Sequence, residues 1–212
     1  MSELSFFERA VIRALDVSWG AYAGYSAPYT EDLCRGYGLR TTMKILGAMT
    51  AALKDLDKAY GATTAQVIVG VSGVWNSCRF CGAGHLFAAN LMYFRDTGKL
   101  FPLSERDTLE LEALEYEEMR GWFAERFRGH DDLQKVAKLI DRLLDFQLGD
   151  TELRDADDRR LKQALDMWTL ANECSTSTTY DLDVDLVPAV DFINKDKALI
   201  ARYREARAAS QR

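Results

Sequence analysis

Apolar residues recur every three or four positions along most of this chain, and that spacing predicts amphipathic helices. The clearest helical period covers 41–60, where the apolar residues share one face and Gly61 follows as a stop. Further helices are predicted over 104–128, 133–148, 152–174 and 188–208. The acid-rich 179–188 predicts a loop or a short extended piece, because the residue before Pro188 is biased away from helix.

One segment does not follow this period. Residues 66–75, QVIVGVSGVW, are rich in β-branched side chains, and propensity alone predicts a strand there. The sequence after it predicts a helix that begins near Ser77 or Cys78. No second convincing strand accompanies the helical periods, and a single strand has nothing to pair with. We therefore favour a helix over 66–75 and expect an all-α fold.

Length and charge narrow the class of protein. The chain has 212 residues and a formal net charge of −6, which fits one domain, or one domain with an appendage. The negative charge argues against a protein that mainly holds nucleic acid or an anionic membrane surface. The amino terminus does not resemble a secretory signal, and no apolar run approaches about 18 residues. We therefore expect a cytoplasmic protein with no nucleic-acid or membrane partner.

The candidate chemistry is concentrated in eight residues. The chain has 4 Cys and 2 His, and two of the cysteines and one histidine form C-x-x-C-x-x-x-H between Cys78 and His85. In a helix that starts at Cys78, these two residues and Cys81 share one face. Free N–H groups in the first turn favour a thiolate at Cys78, and His85 can take the proton of Cys81. The sequence thus holds the parts of a dithiol redox centre that needs no cofactor beyond its own disulfide.

Two readings without redox chemistry stay open at this point. A structural zinc site would add a fourth ligand to the motif, drawn from Cys34, Cys174 and His130. Nothing in the sequence places one of these three nearby, so we expect no metal. Alternatively, the motif is a pair of inert buried cysteines beside a satisfied core histidine. Either reading would make the chain a non-enzymatic helical oligomer.

Residues 63–98 resemble the core of the carboxymuconolactone decarboxylase and alkylhydroperoxidase-D-like superfamily. The signature of that family is a Glu twelve residues before C-x-x-C-x-x-x-H, with the cysteines opening a helix. The resemblance implies an all-α fold, with 1–150 as the family-like helical domain. Residues 151–212 would then be a helical C-terminal extension packed on the same domain.

The resemblance also implies a reaction and its partners. In the redox branch of the family, the residue matching Cys81 attacks a hydroperoxide or another small oxidant. The residue matching Cys78 then resolves the product as a disulfide, and the one matching His85 relays the proton. The family assembles as homo-oligomers, so a trimer, hexamer or dimer is implied, with a dithiol protein as the reductant.

The sequence departs from the family pattern at two positions. Gln66 stands twelve residues before Cys78, where the family carries Glu, and Phe80 stands where the peroxidase branch often has His. Gln66 can hydrogen-bond to water or to His85, but it cannot accept a proton near neutral pH. General-base assistance is typically worth about 10²–10⁴-fold. We therefore expect weak peroxidase activity or another dithiol reaction, while the two cysteines argue against the decarboxylase branch.

A thioredoxin-superfamily thiol-disulfide oxidoreductase with a helical insert is the alternative enzyme. It requires 66–75 to be a strand and Val187-Pro188 to be a cis-Pro loop that faces the C-x-x-C. It lacks a first strand ahead of the motif, and it gives His85 no role. The aromatic stretch 19–25 we expect to be an irregular segment that packs its rings on the core, with a substrate entrance or a subunit contact as the functional alternative.

Overall fold

The computed structural model describes residues 4–173 and 181–210, and every regular element in those ranges is helical. The ten α-helices there are α1 (Phe6–Ala23), α2 (Thr30–Tyr37), α3 (Leu39–Tyr60), α4 (Ala62–Trp75), α5 (Arg79–Thr97), α6 (Asp107–Glu112), α7 (Tyr116–Arg126), α8 (Gln134–Gln147), α9 (Ala156–Asn172) and α10 (Lys197–Ser210). Short 3₁₀ turns occur at Asp131–Leu133, Val184–Leu186 and Phe192–Lys195. The expectation of an all-α fold is confirmed. None of these helices is long and apolar enough to cross a membrane.

The centre of the molecule is the antiparallel pair α4 and α5. Every residue from 65 to 75 and from 80 to 94 is buried. A helix that is buried on all sides must be covered by other elements all around it. Helices α3, α8 and α9 pack on α4, while α6 and α10 pack on α5. The two helices that carry the motif and Gln66 therefore form the core of the fold.

Glycines allow α4 and α5 to approach each other closely. A Cβ added to Gly73 would lie 2.7 Å from the backbone nitrogen of Gly82 and 2.8 Å from Cβ of Cys81. A Cβ added to Gly70 would lie 2.9 Å from Cγ of Leu86. The glycines in 66–75 therefore serve helix packing. The choice of a helix for this segment, made against its strand propensity, is confirmed.

Three sequence-based expectations need correction. The stretch 19–25 is helical as far as Ala23, where α1 ends, and Gly24 caps the helix with a left-handed φ of 78°. The predicted helix 104–128 is two helices, because Glu115 caps the start of α7 in a capping box with Glu118. The first part of the predicted helix 188–208 is a loop with a 3₁₀ turn, and α10 begins only at Lys197.

The remaining predictions agree more closely with the structure. The predicted 133–148 and 152–174 correspond to α8 and α9, although residue 174 lies outside the described residues. Of the predicted loop 179–188, the described part has one 3₁₀ turn. From the segment after residue 150, α9 contacts α3, α4 and α8, and α10 contacts α5. This segment thus contributes to the same core as the helices before it.

Candidate functional site

The motif begins at the tight turn between α4 and α5. Ser77 in this turn has a positive φ of 54°, which reverses the chain within a few residues. Cys78 follows as the N-cap of α5, and its Sγ accepts the backbone N–H of Cys81 at 3.4 Å. The sequence prediction of a helix start near Ser77 or Cys78 is confirmed. The local geometry places the first sulfur over the free N–H groups of a helix end.

The three residues of the motif are all buried. Cys78 is fully buried, Cys81 is 1% exposed and His85 is 4% exposed. No disulfide joins the two thiols. The Sγ of Cys81 also lies 3.6 Å from Oδ1 of Asn172, at the end of α9. The predicted pair is thus a reduced, enclosed dithiol.

Gln66 and His85 are in direct contact across α4 and α5. Nδ1 of His85 lies 2.5 Å from Oε1 of Gln66, and His85 is one of the two hydrogen-bond partners that the sequence left open for Gln66. Among the described residues, this is the hydrogen bond of the His85 side chain, and none joins it to Cys81. The spacing i,i+4 therefore brings the imidazole to the same region as the thiol without pairing them directly.

Burial and hydrogen bonding keep these groups uncharged. The pKa of the Cys81 thiol is raised well above its usual range by the hydrogen bond with Cys78 and by burial. Burial lowers the pKa of His85 to about 3. Near neutral pH, His85 is therefore a neutral imidazole and Cys81 a protonated thiol. In this closed arrangement the imidazole is a weak base toward the thiol.

Sequence reasoning missed an acid next to Gln66. Nε2 of Gln66 donates to Oδ2 of Asp191 at 3.2 Å. Burial raises the pKa of Asp191, and its other oxygen accepts the N–H of Ile193 at 3.0 Å. Asp191 lies in the loop that was predicted to be helical, 125 residues away along the chain, so no local spacing connects it with the motif.

Helix α9 supplies a wall of the site. Besides Asn172, it contributes Trp168, whose ring contacts that of His85 edge to face at a centroid distance of 5.9 Å. The indole nitrogen of Trp168 is buried and has no hydrogen-bond partner among the described residues. The segment that the motif did not account for thus lies directly against the histidine.

The aromatic stretch before α2 forms the opposite wall. A cavity of about 100 Å³ beside His85 is lined by Trp19, Tyr25, Tyr29 and Trp168 among others. A neighbouring cavity of about 360 Å³ shares Trp19 and Tyr25 with it and includes Gln66 and Asp191 in its lining. Trp19 and Tyr25 stack at 6.1 Å. Tyr25 also packs against the core, as expected for this stretch, while Trp19 and Tyr25 line both cavities.

Phe80 belongs to the same aromatic wall. Its ring lies 6.3 Å from that of Tyr25 and 5.9 Å from that of Tyr29. The position between the two cysteines thus carries an apolar contact where the peroxidase branch often has a titratable ring. Phe80 is itself buried, and its ring adds no proton acceptor to the site.

The described residues contain no group of three or more His, Cys, Asp and Glu side chains that could hold a metal. Cys34, one candidate fourth ligand, packs in a separate cluster with Leu4 and Ile12. Cys174 lies outside the described residues. His130 precedes the 3₁₀ turn at Asp131–Leu133.

No family model, curated protein or solved structure matches this chain.

Proposed function

We propose that this protein is a dithiol redox enzyme of the alkylhydroperoxidase-like type, with Cys81 and Cys78 as the reacting pair. The observation that carries the proposal is the arrangement at the start of α5. Two reduced thiols lie on one helical turn, and His85, bound to Gln66, lies one turn further along. The combination of a close dithiol and a neutral imidazole beside a cavity suits thiol oxidation.

The reaction proceeds in two steps. The sulfur of Cys81 attacks the terminal oxygen of a hydroperoxide, the O–O bond breaks, and the thiol proton goes to the leaving alkoxide, which gives a sulfenic acid and an alcohol. The thiol of Cys78 then attacks the sulfenic sulfur, and water leaves as the disulfide forms. A dithiol protein returns two electrons and two protons by thiol–disulfide exchange. Once the site has opened, His85 relays the proton in both steps.

The closed site sets the expected rate. Attack requires the thiolate of Cys81, whose pKa is raised, while burial keeps His85 a poor proton acceptor. Oxidation therefore needs an opening that admits water or substrate to the sulfurs. We expect slow turnover that rises with pH as the fraction of thiolate grows.

Counting thiols with and without peroxide tests the proposal. Native protein should lose two titratable thiols per chain on exposure to a hydroperoxide and regain them with a dithiol reductant. Cys81→Ser should abolish the loss, and Cys78→Ser should leave a sulfenic acid that dimedone traps. Cys34→Ser is the matched control, because Cys34 is equally buried in a separate cluster, and it should leave the two-thiol loss intact. Unchanged thiols in the native protein would contradict the proposal.

A structural cluster is the second candidate function, and the complete burial of the motif favours it. In that case the chain is a helical oligomer whose cysteines and histidine only pack. Cys81→Ala would then lower stability without removing any peroxide-dependent change, and the native protein would keep its thiols. A stoichiometric metal found by elemental analysis would instead support the zinc alternative.

The thioredoxin-superfamily alternative has less support. The segment that it needs as a strand is helix α4, and the Val187–Pro188 bond is trans. We place the proposed enzyme in the cytoplasm on the expectation from its sequence, and we propose a homo-oligomer on the family resemblance alone. Size-exclusion chromatography with light scattering tests the second point, and a monomer would contradict it.

A further inference from the structure

The amide of Gln66 bridges two groups that the motif does not connect. Its Nε2 donates to Oδ2 of Asp191 at 3.2 Å, and its Oε1 lies 2.5 Å from Nδ1 of His85. All three side chains are buried or half-buried. The result is a continuous chain of hydrogen bonds from a carboxyl group to an imidazole through a neutral amide.

The direction of this chain depends on Asp191. A carboxamide has nearly the same shape in both orientations, but one end accepts a hydrogen bond and the other donates. A carboxylate only accepts, so it binds the NH₂ end and turns the oxygen toward His85. Polarisation by the carboxylate also makes that oxygen a better acceptor.

The orientation of the amide in turn fixes the tautomer of His85. Because Oε1 accepts, Nδ1 must carry the proton, and Nε2 is left as the ring nitrogen with a free lone pair. We infer that Asp191 is a positioning residue that acts through Gln66 to hold His85 as the Nδ1–H tautomer. Its part in catalysis rests on the proposed function, whereas its effect on the tautomer does not.

The surroundings of Asp191 support this role. Burial and the charge of Asp57 disfavour the ionised form of Asp191, while the positive charge of Arg95 favours it. Tyr25 lies near enough for Asp191 to contribute to the raised pKa of its hydroxyl. The N–H of Ile193 holds the second oxygen of Asp191 at 3.0 Å, so the first stays directed at Gln66.

This arrangement limits the effect of a Gln66→Glu substitution. A glutamate at position 66 would meet the carboxyl of Asp191 about where the amide donates now, and two carboxyl groups so close cannot both ionise. One would keep its proton, and the gain in basicity would be small. Asp191→Asn removes the conflict, because its amide can donate to the new carboxylate.

Nitrogen-15 NMR of the reduced protein tests the tautomer without any peroxide. Wild type should show a protonated Nδ1 and an unprotonated Nε2 at His85. Asp191→Asn should keep this pattern, since its oxygen still accepts from Gln66, and Asp191→Ala should shift His85 toward a mixture. The exposed Asp166→Asn on α9 is the control for a lost surface charge. An unchanged Nδ1–H tautomer in Asp191→Ala would overturn the inference.

The rate of thiol oxidation tests the catalytic consequence. Asp191→Ala should slow it roughly tenfold, the lower end of what loss of an orienting partner costs. Gln66→Glu alone should change the rate little. The double variant Gln66→Glu with Asp191→Asn should be oxidised faster than the summed effects of the two single variants predict. Additive effects would count against the coupling. If wild type is not oxidised at all, the proposed function fails, and the tautomer measurement still decides the inference.

Discussion

Two polar clusters in this protein differ in charge: one is built on a buried ion pair, and the other on buried neutral groups. The guanidinium of Arg142, 11% exposed, binds the carboxylates of Asp145, Asp150 and Asp158 and joins α8 to α9. The imidazole of His85, 4% exposed, has the neutral amide of Gln66 as its partner. The first cluster pairs opposite charges around one buried guanidinium, whereas the second encloses groups that burial keeps uncharged.

This difference separates a cluster suited to stability from one suited to reaction. The hydrogen bond with Arg142 lowers the pKa of Asp158 to about 2, so the pair stays ionised over the whole neutral range. Burial lowers the pKa of His85 to about 3, so it stays neutral until water or a substrate enters. The imidazole of His85 can take up a proton once water or a substrate reaches it, whereas the guanidinium of Arg142 keeps its charge throughout.

Acid should disrupt the His85 cluster before the Arg142 cluster. The unfolded chain binds a proton at His85 below about pH 6.5, while the folded one does not until about pH 3. The contribution of neutral His85 to the free energy of unfolding is therefore fully present above pH 6.5. It is lost as the pH drops, by roughly 4 kcal/mol at about pH 3.5. Urea denaturation of wild type and His85→Gln along this range measures the difference.

The contribution of Asp158 follows in a lower window. Its folded pKa is below the usual 3.8, so its stabilisation is present above that value and is lost only as pH falls toward 2. The difference between wild type and His85→Gln should thus arise between about pH 6.5 and pH 4, where Asp158 is still ionised. A difference that stays constant across that range would contradict the buried neutral histidine.

Removal of the central cation should be the next largest effect. Arg142→Met leaves Asp158, which is 4% exposed, without its guanidinium and should lower the free energy of unfolding by about 3 kcal/mol. Arg128→Met is the matched control, because Arg128 pairs with Glu125 on the surface at 75% exposure. That variant should change stability by less than about 1 kcal/mol. Equal losses in both variants would remove the distinction between the two kinds of ion pair.

Sequence patterns anticipated the site better near the motif than away from it. The start of α5 at Cys78 and the common face of Cys81 and His85 follow from spacing along one helix, and the family resemblance pointed to Gln66 across one tight turn. Asp191 and Trp168 reach the site from segments that tertiary packing alone brings there. Helical periodicity reports which face is buried, and it carries no information about which distant segment covers that face.

Helical periodicity was also limited in predicting where helices begin and end. The apolar period alone predicted α3 and α8 almost to the residue. The same apolar period predicted one helix over 104–128, but the capping interaction of Glu115 starts a new helix there. The loop at 188–196 escaped prediction because its path is fixed by contact with α5, including the bond from the Val190 N–H to the Gly84 carbonyl.

The close contact between α4 and α5 leaves no room for an added methyl group at Gly73. Gly73→Ala would place its Cβ 2.7 Å from a backbone nitrogen of α5 and should cost about 2 kcal/mol as the helices move apart. Gly121→Ala in α7, where a Cβ meets nothing within 4 Å, should instead stabilise by about 0.5–1 kcal/mol. Thermal unfolding measures both, and a stabilising Gly73→Ala would contradict the close approach that positions Cys81.

The smallest expected effect concerns the indole N–H groups of two buried tryptophans. Trp75 donates to Sδ of Met119 at 2.7 Å, whereas Nε1 of Trp168, beside His85, has no partner among the described residues. Trp168→Phe opens a small void but removes a donor that has no partner among the described residues, so it should change stability by less than about 1 kcal/mol. Trp75→Phe loses a satisfied bond as well as volume and should cost about 1–2 kcal/mol more. Equal costs would show that the N–H of Trp168 is satisfied in solution, for example by water in the cavity beside His85, and that this side of the site is wet.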